Sequence, residues 1–380
     1  MPDKATLQSF QRLLTVQPEL TQIAPLSALL PDLPDGTLFH AGPAFKSQEN
    51  LPVPIVHAAC AAAVQEGLAD SLQDANNAIA KGEIALRPAQ DFGIVTPLAF
   101  VAGPSMYSVA LEDRAAAGAL LASPLNDGPP AGCLRFGMDN EAGRKLLAAL
   151  QDEIGPDLSR HFAGPVDLLS LMSAAIGKGD ELHGQVAAAN GLLRPFLGED
   201  LSNASQEYLA QAGQFVLNVI MAASALMLKA GAGVSGSGMV IASGGNGQEI
   251  GYKTAAEPDH WVTLPATKPV GPTMPGMESF APLPAIGDSA VIDALGFGAA
   301  CLRFAPALLD PLREHIPAAY AGPEAHGAYL GSHPAFPYPG LKLGLDLNQP
   351  RDCLGIMLGM VEETGTAGLI GRGVAPWPEA

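Results

Sequence analysis

The chain has 380 residues, of which 48% are hydrophobic and 15% are charged, and its formal net charge is −18 at pH 7. A chain this acidic repels nucleic-acid phosphates and anionic lipid, so we expect no nucleic acid and no membrane surface among its partners. A small anionic ligand remains compatible with this charge, because a few Arg, Lys or backbone N–H groups can form a local positive site. The apolar content, with 43 Gly and 34 Pro, indicates a tightly packed, turn-rich globular protein.

The cysteines and the apolar segments predict a cytoplasmic protein. The four cysteines are far apart, form no C-x-x-C pair and sit in apolar or Gly-rich surroundings, which is typical of buried thiols in a reducing compartment. They are Cys60, Cys133, Cys301 and Cys353. The N-terminal sequence lacks the regions of a secretory signal, and the longest apolar run, residues 215–228, is too short to span a bilayer.

The first part of the chain, residues 1–140, is predicted to be a mixed α/β unit. One or two short helices are expected within residues 5–30, followed by a strand at TLFHAG, residues 37–42. Residues 55–82 show a long amphipathic helical pattern that ends at Gly82. Three strand-like pieces separated by Pro and Gly come next. They are GEIALRP, FGIVTPLAFVAG and YSVALED.

The rest of the chain predicts a helical segment and then a second mixed unit. Helical periodicity runs through residues 141–232, and alternating patterns take over in residues 233–380. The GGNG sequence at 244–247 lies between two strand-like runs, which predicts a β-hairpin. A helix is expected over 288–310 and a strand at KLGLDLN, residues 342–348. The predicted fold class is therefore α+β, with irregular mixed α/β units flanking an all-helical middle segment.

Several common ligand-binding motifs are rejected. GAGVSG, residues 231–236, matches G-x-G-x-x-G, but a predicted helix precedes it and a predicted strand follows it. Dinucleotide binding requires the opposite order. The chain has no H-E-x-x-H sequence, no G-x-S-x-G sequence and no G-K-[ST] join, and its eight histidines lack metal-ligand spacing. The sequence therefore predicts no metal and no cofactor.

The stretch GKGDELHGQVAAANGLLR, residues 177–194, is the first candidate site. At about 100° per residue, one side of a helix would carry Asp180, His183, Asn190 and Arg194 with an alanine between them. One interpretation is an ordinary amphipathic helix, capped by Asp180, with a solvated polar face. The other is a site where small residues let a ligand approach the polar groups. The residues alone favour the ordinary helix.

Two further candidates follow from local sequence. The Gly287-Asp288-Ser289 segment precedes a predicted helix whose N–H groups could hold an anion, although an ordinary Asp or Ser cap explains the same residues better. The turns HAGP, residues 40–43, and AGPSM, residues 102–106, both follow apolar strands, where active-site loops often emerge.

The order of these pieces resembles one family. The chain contains in succession LFHAGPAF, VQEGLAD, GEIALRP, PLAFVAGPSM and GDELHGQVAAANGLL. The second half continues with GGNGQEIGYKT, WVTLPA, MPGMESFAPLPAIGDSAVIDALGFGAA, SHPAF, GLDLN and TGTAGLIGRG. From about residue 20 to the C-terminus, these collinear motifs resemble the AllG (YlbE-like) family.

This resemblance implies an irregular α+β fold with a helical insert, and an enzyme subunit. The characterised relative belongs to oxamate carbamoyltransferase of anaerobic allantoin breakdown, a branch of purine catabolism, together with an FdrA-type subunit. The implied reaction is phosphorolysis of a carbamoylated amide such as oxalurate, which gives oxamate and carbamoyl phosphate, or its reverse. We also expect a homo-oligomer. The alternatives are a non-catalytic assembly subunit for an FdrA-like partner and an amide hydrolase on the same scaffold.

The matched motifs then suggest residue roles. His183, held by Asp180 or Glu181, would act as the acid/base that carbamoyl transfer requires. Substrate or phosphate would be bound by residues of the other matched motifs. These residues are His40, Gly42, Pro43, Ser105, Met106, Asn190, Asn246, Gly247, Lys253, Gly276, Gly287, Asp288 and Ser289.

Three positions depart from the family pattern. Where the family commonly reads His-Asn-Arg, this chain has His183-Gly184-Gln185. Where the family has Arg after the Asn-Gly turn, this chain has Lys253, which keeps the charge but not the bidentate geometry. The segment AQDFG after Pro88 contains no His, unlike the family's His-rich stretch. These departures suggest a different ureido or carboxamide substrate, or chemistry that lies in a partner.

Overall fold

A computed structural model describes residues 2–116, 118–129, 132–351 and 353–377, and the fold is α+β, as predicted. The helices are α1 Lys4–Thr15, α2 Leu26–Leu29, α3 Val53–Gln65, α4 Leu72–Ala80, α5 Glu141–Ala149, α6 Gly155–His161, α7 Leu168–Ile176, α8 Ala187–Leu193, α9 Asn203–Gln211, α10 Phe215–Lys229, α11 Ala290–Leu295 and α12 Pro306–Leu312. The strands are β1 Pro18–Pro25, β2 Thr37–His40, β3 Ala85–Pro88, β4 Tyr107–Asp113, β5 Leu120–Pro124, β6 Val166–Asp167, β7 Val240–Asn246, β8 Glu249–Thr254, β9 Glu257–Pro265, β10 Ile286–Gly287, β11 Tyr329–Gly331, β12 Leu343–Leu345, β13 Gly355–Val361 and β14 Leu369–Pro376.

The strands form two four-stranded antiparallel sheets and three smaller pairs. The first sheet has the order β5-β4-β1-β6, and the second has the order β10-β7-β8-β9. Two antiparallel pairs, β11 with β12 and β13 with β14, come from the C-terminal part of the chain. The strands β2 and β3 form a parallel pair, which requires the crossover that α3 and α4 provide.

Helix α10 lies at the centre of the core. Its residues from Phe215 to Leu228 are all buried, and it packs against β4 and β5 of the first sheet, β7 of the second sheet and α11. A helix that is apolar on every side is stable only where other elements cover it completely. Within the described ranges no single helix is long and apolar enough to cross a membrane, although α9 and α10, bent by 73°, would pass together by length and composition.

The structure confirms the predicted hairpin, and it confirms that GAGVSG is not a dinucleotide-binding loop. Strands β7 and β8 pair across the Asn-Gly turn, where Asn246 Oδ1 accepts hydrogen bonds from the backbone N–H groups of Gln248 (2.9 Å) and Glu249 (2.8 Å). The GAGVSG segment, residues 231–236, connects the end of α10 to the start of β7. The helix therefore precedes the glycines, and the segment cannot present a helix N-terminus to a pyrophosphate.

Several predicted elements of the first unit are wrong. The two short helices expected within residues 5–30 are α1 and α2, but residues 18–25 between them form the strand β1, which pairs with β4 along its whole length. The predicted helix over 55–82 is two helices, since Gly67 adopts φ +69° and Ser71 caps α4 by accepting the Asp74 N–H. The strand-like segment FGIVTPLAFVAG, residues 92–103, makes only isolated bridges and contains no regular strand.

The predicted helix over residues 288–310 is also broken. Helix α11 ends after one and a half turns at Gly296, which adopts φ +126° and lies against the backbone carbonyl of Lys342. A 3₁₀ segment, Gly298–Phe304, then leads into α12. The short α11 is nevertheless entirely buried, so its single acidic residue lies in the core.

Candidate active site

The stretch from Asp180 to Arg194 is not a single helix, so the predicted shared polar face is wrong. Residues 181–186 form a loop in which Leu182 adopts φ +75°, and α8 begins only at Ala187. Asp180 does cap this helix, but across the loop, by accepting the N–H groups of Ala188 (3.2 Å) and Ala189 (2.8 Å). The expectation of a solvated face is also wrong, because the exposed fractions of Asp180, Glu181 and His183 are 1%, 0% and 4%.

Glu181 shapes the loop from inside. Its carboxylate accepts hydrogen bonds from the backbone N–H groups of His183, Gly184 and Gln185, the last at 3.2 Å. Burial raises the pKa of Glu181 to about 7, although the nearby His183 ring and the backbone N–H groups of His183 and Gly184 oppose that shift. Glu181 therefore holds the backbone of the loop and does not bond the His183 ring.

The partner of the His183 ring is Asp293 on α11, and the expected pairing with Asp180 or Glu181 is wrong. His183 Nδ1 lies 2.7 Å from Asp293 Oδ2. The other carboxylate oxygen, Oδ1, accepts the N–H groups of Ala299 (2.8 Å) and Met357 (3.1 Å). An ionised carboxylate only accepts, so Nδ1 carries the proton and Nε2 is the ring nitrogen left for a ligand.

His183 lines a narrow cleft that contains two arginines. The cleft has a volume of about 30 Å³. Its walls include Leu98, Arg135, Phe136, His183, Ser289 and Arg372. In a chain with 38 acidic and 20 basic residues, this cleft wall includes two arginines, and Arg372 supplies its uncompensated positive charge because Arg135 is ion-paired with Asp127. Such a site suits a small anion that carries carboxylate or phosphate oxygens.

The two arginines are held differently. Arg135 is buried and forms an ion pair with Asp127, donates to the Gly128 carbonyl (2.8 Å) and lies 4.4 Å from the centre of the Phe136 ring. The Arg372 guanidinium makes no hydrogen bond and no ion pair with any residue that the structure describes. Arg135 is thus a fixed part of the wall, and the donors of Arg372 are available to a ligand.

Backbone strain is concentrated at the cleft. Within the described residues, Leu98 (φ +47°) and Leu182 (φ +75°) are the non-glycine residues with positive φ. Leu98 lines the cleft, and Leu182 immediately precedes His183. A conformation of this kind costs about 1–3 kcal/mol per residue and persists where the surroundings fix it, often at functional sites. Both residues with a strained backbone therefore lie in the His183 cleft wall or next to it in sequence.

The buried Asp288 carboxylate links separate segments of the chain through hydrogen bonds, and it does not form an anion-binding site at a helix start. Its carboxylate accepts hydrogen bonds from Gly42 N (2.9 Å), Thr96 N (3.0 Å) and Gln90 Nε2 (2.6 Å), and burial raises its pKa to about 7. The expected Asp or Ser cap is also wrong, because neither side chain bonds the first turn of α11. Ser289 instead lines the cleft, where its buried hydroxyl has no hydrogen-bond partner among the described residues.

The other residues of the two Gly/Pro turns hold the scaffold. His40 is buried, with Nδ1 2.8 Å from the Ala41 carbonyl, and Ser105 donates its hydroxyl to Glu66 (2.8 Å). Met106 is buried. None of these side chains, nor Gly42 and Pro43 of the HAGP turn, is part of the cleft wall.

The remaining predicted site residues are dispersed. Asn190 accepts the Val216 N–H (3.1 Å) at the start of α10, and Asn246 bonds its own turn through Oδ1 and the Pro43 carbonyl through Nδ2 (3.0 Å). Three others lie away from the His183 ring. These are Gly247 in the hairpin turn, Gly276 in an exposed loop and Lys253 in a second pocket. Gly287 lies close to the cleft, because a Cβ there would meet the Leu98 backbone N at 2.8 Å.

Sequence reasoning missed Asp293, Arg135 and Arg372. The signal for Asp293 was a lone acid inside the apolar run AVIDAL, since an unpaired Asp is almost never fully buried. For Arg135 the signal was a lone base between apolar residues, in LRF. Arg372 stands between glycines in a strand that is otherwise apolar. Each of these three residues is a charged side chain in an apolar or Gly-rich stretch of sequence, where charged side chains are uncommon.

The comparisons with known proteins agree with this fold and define its family. The family described as "Oxamate carbamoyltransferase subunit AllG" matches residues 84–289, more than half of the chain. The chain belongs to the AllG family. The matched segment contains Arg135, the loop with His183, and Ser289.

Individual relatives extend this match over nearly the whole chain. The oxamate carbamoyltransferase subunit AllG of Escherichia coli (strain K12) is 27% identical over 98% of this chain and 90% of its own length. The uncharacterized protein YahG of the same organism is 27% identical over 80% of this chain and 66% of its own length. A solved structure of a conserved protein of unknown function from Enterococcus faecalis V583 is 26% identical and superposes with a TM-score of 0.88, covering 99% of this chain and 94% of that one.

Proposed function

We propose that this chain is a subunit of a carbamoyltransferase-like enzyme and that the His183 cleft is its active site. The substrates would be a small anionic ureido or amide acid of the oxalurate type and phosphate, and a product would be carbamoyl phosphate. The observation that carries this proposal is the buried His183–Asp293 pair, which lies beside two arginines in one cleft. Family membership supports the reaction class.

The proposed reaction transfers one carbamoyl group. A phosphate oxygen attacks the ureido carbonyl carbon, the bond from this carbon to the amide nitrogen breaks, and that nitrogen leaves as the amide of oxamate. His183 Nε2 accepts the proton of the attacking phosphate and returns it to the leaving nitrogen. Asp293 stabilises the imidazolium that forms between these steps, because its carboxylate lies 2.7 Å from Nδ1.

Arg372 would bind the anionic groups, while Arg135 remains a fixed part of the wall. A guanidinium forms paired, charge-assisted hydrogen bonds with carboxylate or phosphate, which orients the ligand as well as binding it. The Ser289 hydroxyl could complete the set, since it is buried at the cleft wall. A volume of about 30 Å³ holds only about two water molecules, so the cleft must widen to admit a ureido acid.

A second candidate is a non-catalytic subunit that assembles with an FdrA-like partner. Gly184 and Gln185 favour this alternative, because they stand beside His183 where the family commonly has Asn and Arg. Under either proposal we place the protein in the cytoplasm. The buried, free thiols of Cys60, Cys133 and Cys301 support a reducing compartment.

The test is an assay of the purified chain, alone and with an FdrA-like subunit, for carbamoyl phosphate and oxamate release from oxalurate and phosphate. We expect turnover in at least one of these mixtures, and we expect His183→Ala to abolish it. His260→Ala, on the exposed face of β9, is the matched control. Full turnover by a complex containing His183→Ala would assign the chemistry to the partner and leave this chain as an assembly subunit.

A further inference from the structure

A second pocket lies between α10 and the second sheet. It has a volume of about 200 Å³, which is larger than the His183 cleft. Two lysines from different elements line it, Lys229 at the end of α10 and Lys253 on β8. Ala225 and Ile241 contribute to an apolar floor. An apolar concavity with a few convergent charges is the usual form of a small-molecule site.

The charges in this pocket are unevenly compensated. Lys253 is 7% exposed and its Nζ lies 2.7 Å from Asp91 Oδ1, which also accepts the Trp261 indole N–H at 2.9 Å. Lys229 makes no ion pair or hydrogen bond with any described residue. Asp259, the other acidic residue of the wall, is exposed, as is Lys229, so water screens both of these charges.

We infer that this pocket binds a small oxyanion, a phosphate or carboxylate group, between Lys229 and Lys253. An ammonium group binds such oxygens as a point charge with three donors. Lys229 is exposed as a residue, and the partial desolvation of its ammonium, followed by the positive charge of Lys253, lowers its pKa. The inferred site is independent of the function proposed above.

The pocket is separate from the His183 cleft. Helix α10 reaches both, with Leu217 in the cleft wall and Ala225 and Lys229 in the pocket wall. At 1.5 Å per residue, these positions are about 12–18 Å apart along the helix axis. An oxyanion held by Lys229 therefore cannot react with a ligand at His183, and the pocket is a second site.

One wall of the pocket is already fixed. Gln90 Nε2 donates to the Ser243 carbonyl (2.9 Å) and to Asp288 Oδ1 (2.6 Å), so the side-chain amide cannot turn freely. The Lys253 ammonium is likewise held, 5.1 Å from the centre of the Trp261 ring. A wall that is ordered before binding loses less entropy when the ligand arrives.

Trp261 provides the test. The chain has two tryptophans, so Trp377→Phe leaves Trp261 as the single tryptophan, beside the Lys253–Asp91 pair, and it can be excited selectively over the tyrosines. In this background, inorganic phosphate and oxamate are titrated separately at constant ionic strength maintained with NaCl. We expect a saturable fluorescence change with at least one of them, and the stronger titrant identifies the preferred oxyanion. Lys229→Met should weaken this binding about tenfold or more, which corresponds to the loss of one charge-assisted contact.

Two controls make each outcome decisive. Lys145→Met removes an exposed lysine of α5 and should leave the titration unchanged. Arg372→Met, in the other cleft, should also leave it unchanged. No saturable change with either titrant, or the same curve with Lys229→Met, overturns the inferred site. Loss of the signal in Arg372→Met would place the bound anion in the His183 cleft and equally overturn it.

Discussion

His183 Nδ1 and Asp293 Oδ2 are 2.7 Å apart, although 110 residues separate the two side chains in sequence. Both side chains are buried, and the second Asp293 oxygen is held by two backbone N–H groups. Because the carboxylate cannot turn away, the imidazole has a fixed tautomer and a fixed orientation at the cleft. The pair is therefore ready to move a proton without rearrangement.

Asp293→Asn should lower turnover about 10²- to 10⁴-fold, the usual range for a lost proton-transfer group and its support. The amide keeps the shape of the side chain but cannot stabilise an imidazolium. The measurement is the rate of oxalurate phosphorolysis by the active complex, with thermal unfolding as a check on folding. Asp310→Asn, at an exposed position, is the control. An Asp293→Asn enzyme with normal turnover would exclude an acid/base role for His183.

Arg372→Met should raise the KM for the anionic substrates by about 10- to 100-fold, because a hydrogen bond to a charged group contributes about 1.5–3 kcal/mol. Arg372→Lys should restore only part of this loss, since Lys lacks the planar, paired donors. Initial rates over a range of oxalurate and phosphate concentrations measure the effect. Arg313→Met, on the surface next to Asp310, should change neither KM. An unchanged KM in Arg372→Met would remove this residue from the binding site.

Glu181→Gln should remove one pH-dependent contribution to stability. Burial raises the pKa of Glu181 from 4.5 to about 7, so the folded protein keeps a proton that the unfolded chain releases. The free energy of unfolding therefore falls as the pH rises from about 4.5 to 7, and this contribution is constant above that range. Glutamine does not ionise, so the variant should lose the part of the slope that Glu181 causes.

This slope is measured by urea denaturation at a series of pH values. Asp288, whose pKa is also raised to about 7 by burial, contributes in the same direction. Burial lowers the pKa of His40 and of His326 to about 4, which contributes in the opposite direction, so the expected result is the difference between variant and wild type at each pH. Glu314→Gln, an exposed position, is the control and should retain the full slope. Parallel curves for wild type and Glu181→Gln would contradict the expected proton uptake.

Gly42→Ala should destabilise the protein by about 3 kcal/mol or more, through backbone strain and a steric clash together. Gly42 adopts φ +74°, and an added Cβ would meet the Gly245 carbonyl carbon at 2.5 Å. Gly276→Ala is the matched control, because φ is +85° there but no atom lies within 4 Å of the added Cβ. It should cost about 1 kcal/mol, from strain alone. Equal losses in chemical denaturation would show that the Gly42 contact is not tight.

The fold was predictable where local chemistry determines it. The Asn-Gly turn at 246–247 uses the Asn246 side chain to bond its own backbone, so the hairpin could be read from the sequence. The position of GAGVSG after a long apolar helix also excluded a dinucleotide loop. By contrast, β1 forms because it pairs with β4, 80 or more residues away. The local sequence of β1 does not indicate that such a distant strand will pair with it.

The site was predictable only in part, because its bonds are long-range. His183 could be singled out, but its ring partner comes from α11, and Asp180 caps α8 across a loop. The helix predicted over 180–194 does not form at its start, because the Glu181 carboxylate accepts three backbone N–H groups that a helix would otherwise use. Such competition between a buried side chain and the backbone depends on burial, which the sequence does not record.

The narrowness of the His183 cleft has a practical consequence for crystallography. A cavity of about 30 Å³ lies in a core packed around α10, so a ureido acid can enter only if the surrounding elements shift. A lattice grown from the protein alone would resist that shift. Soaking such crystals in oxalurate or oxamate would therefore give low occupancy or cracking, whereas mixing ligand and protein before the drops are set would trap the wider form.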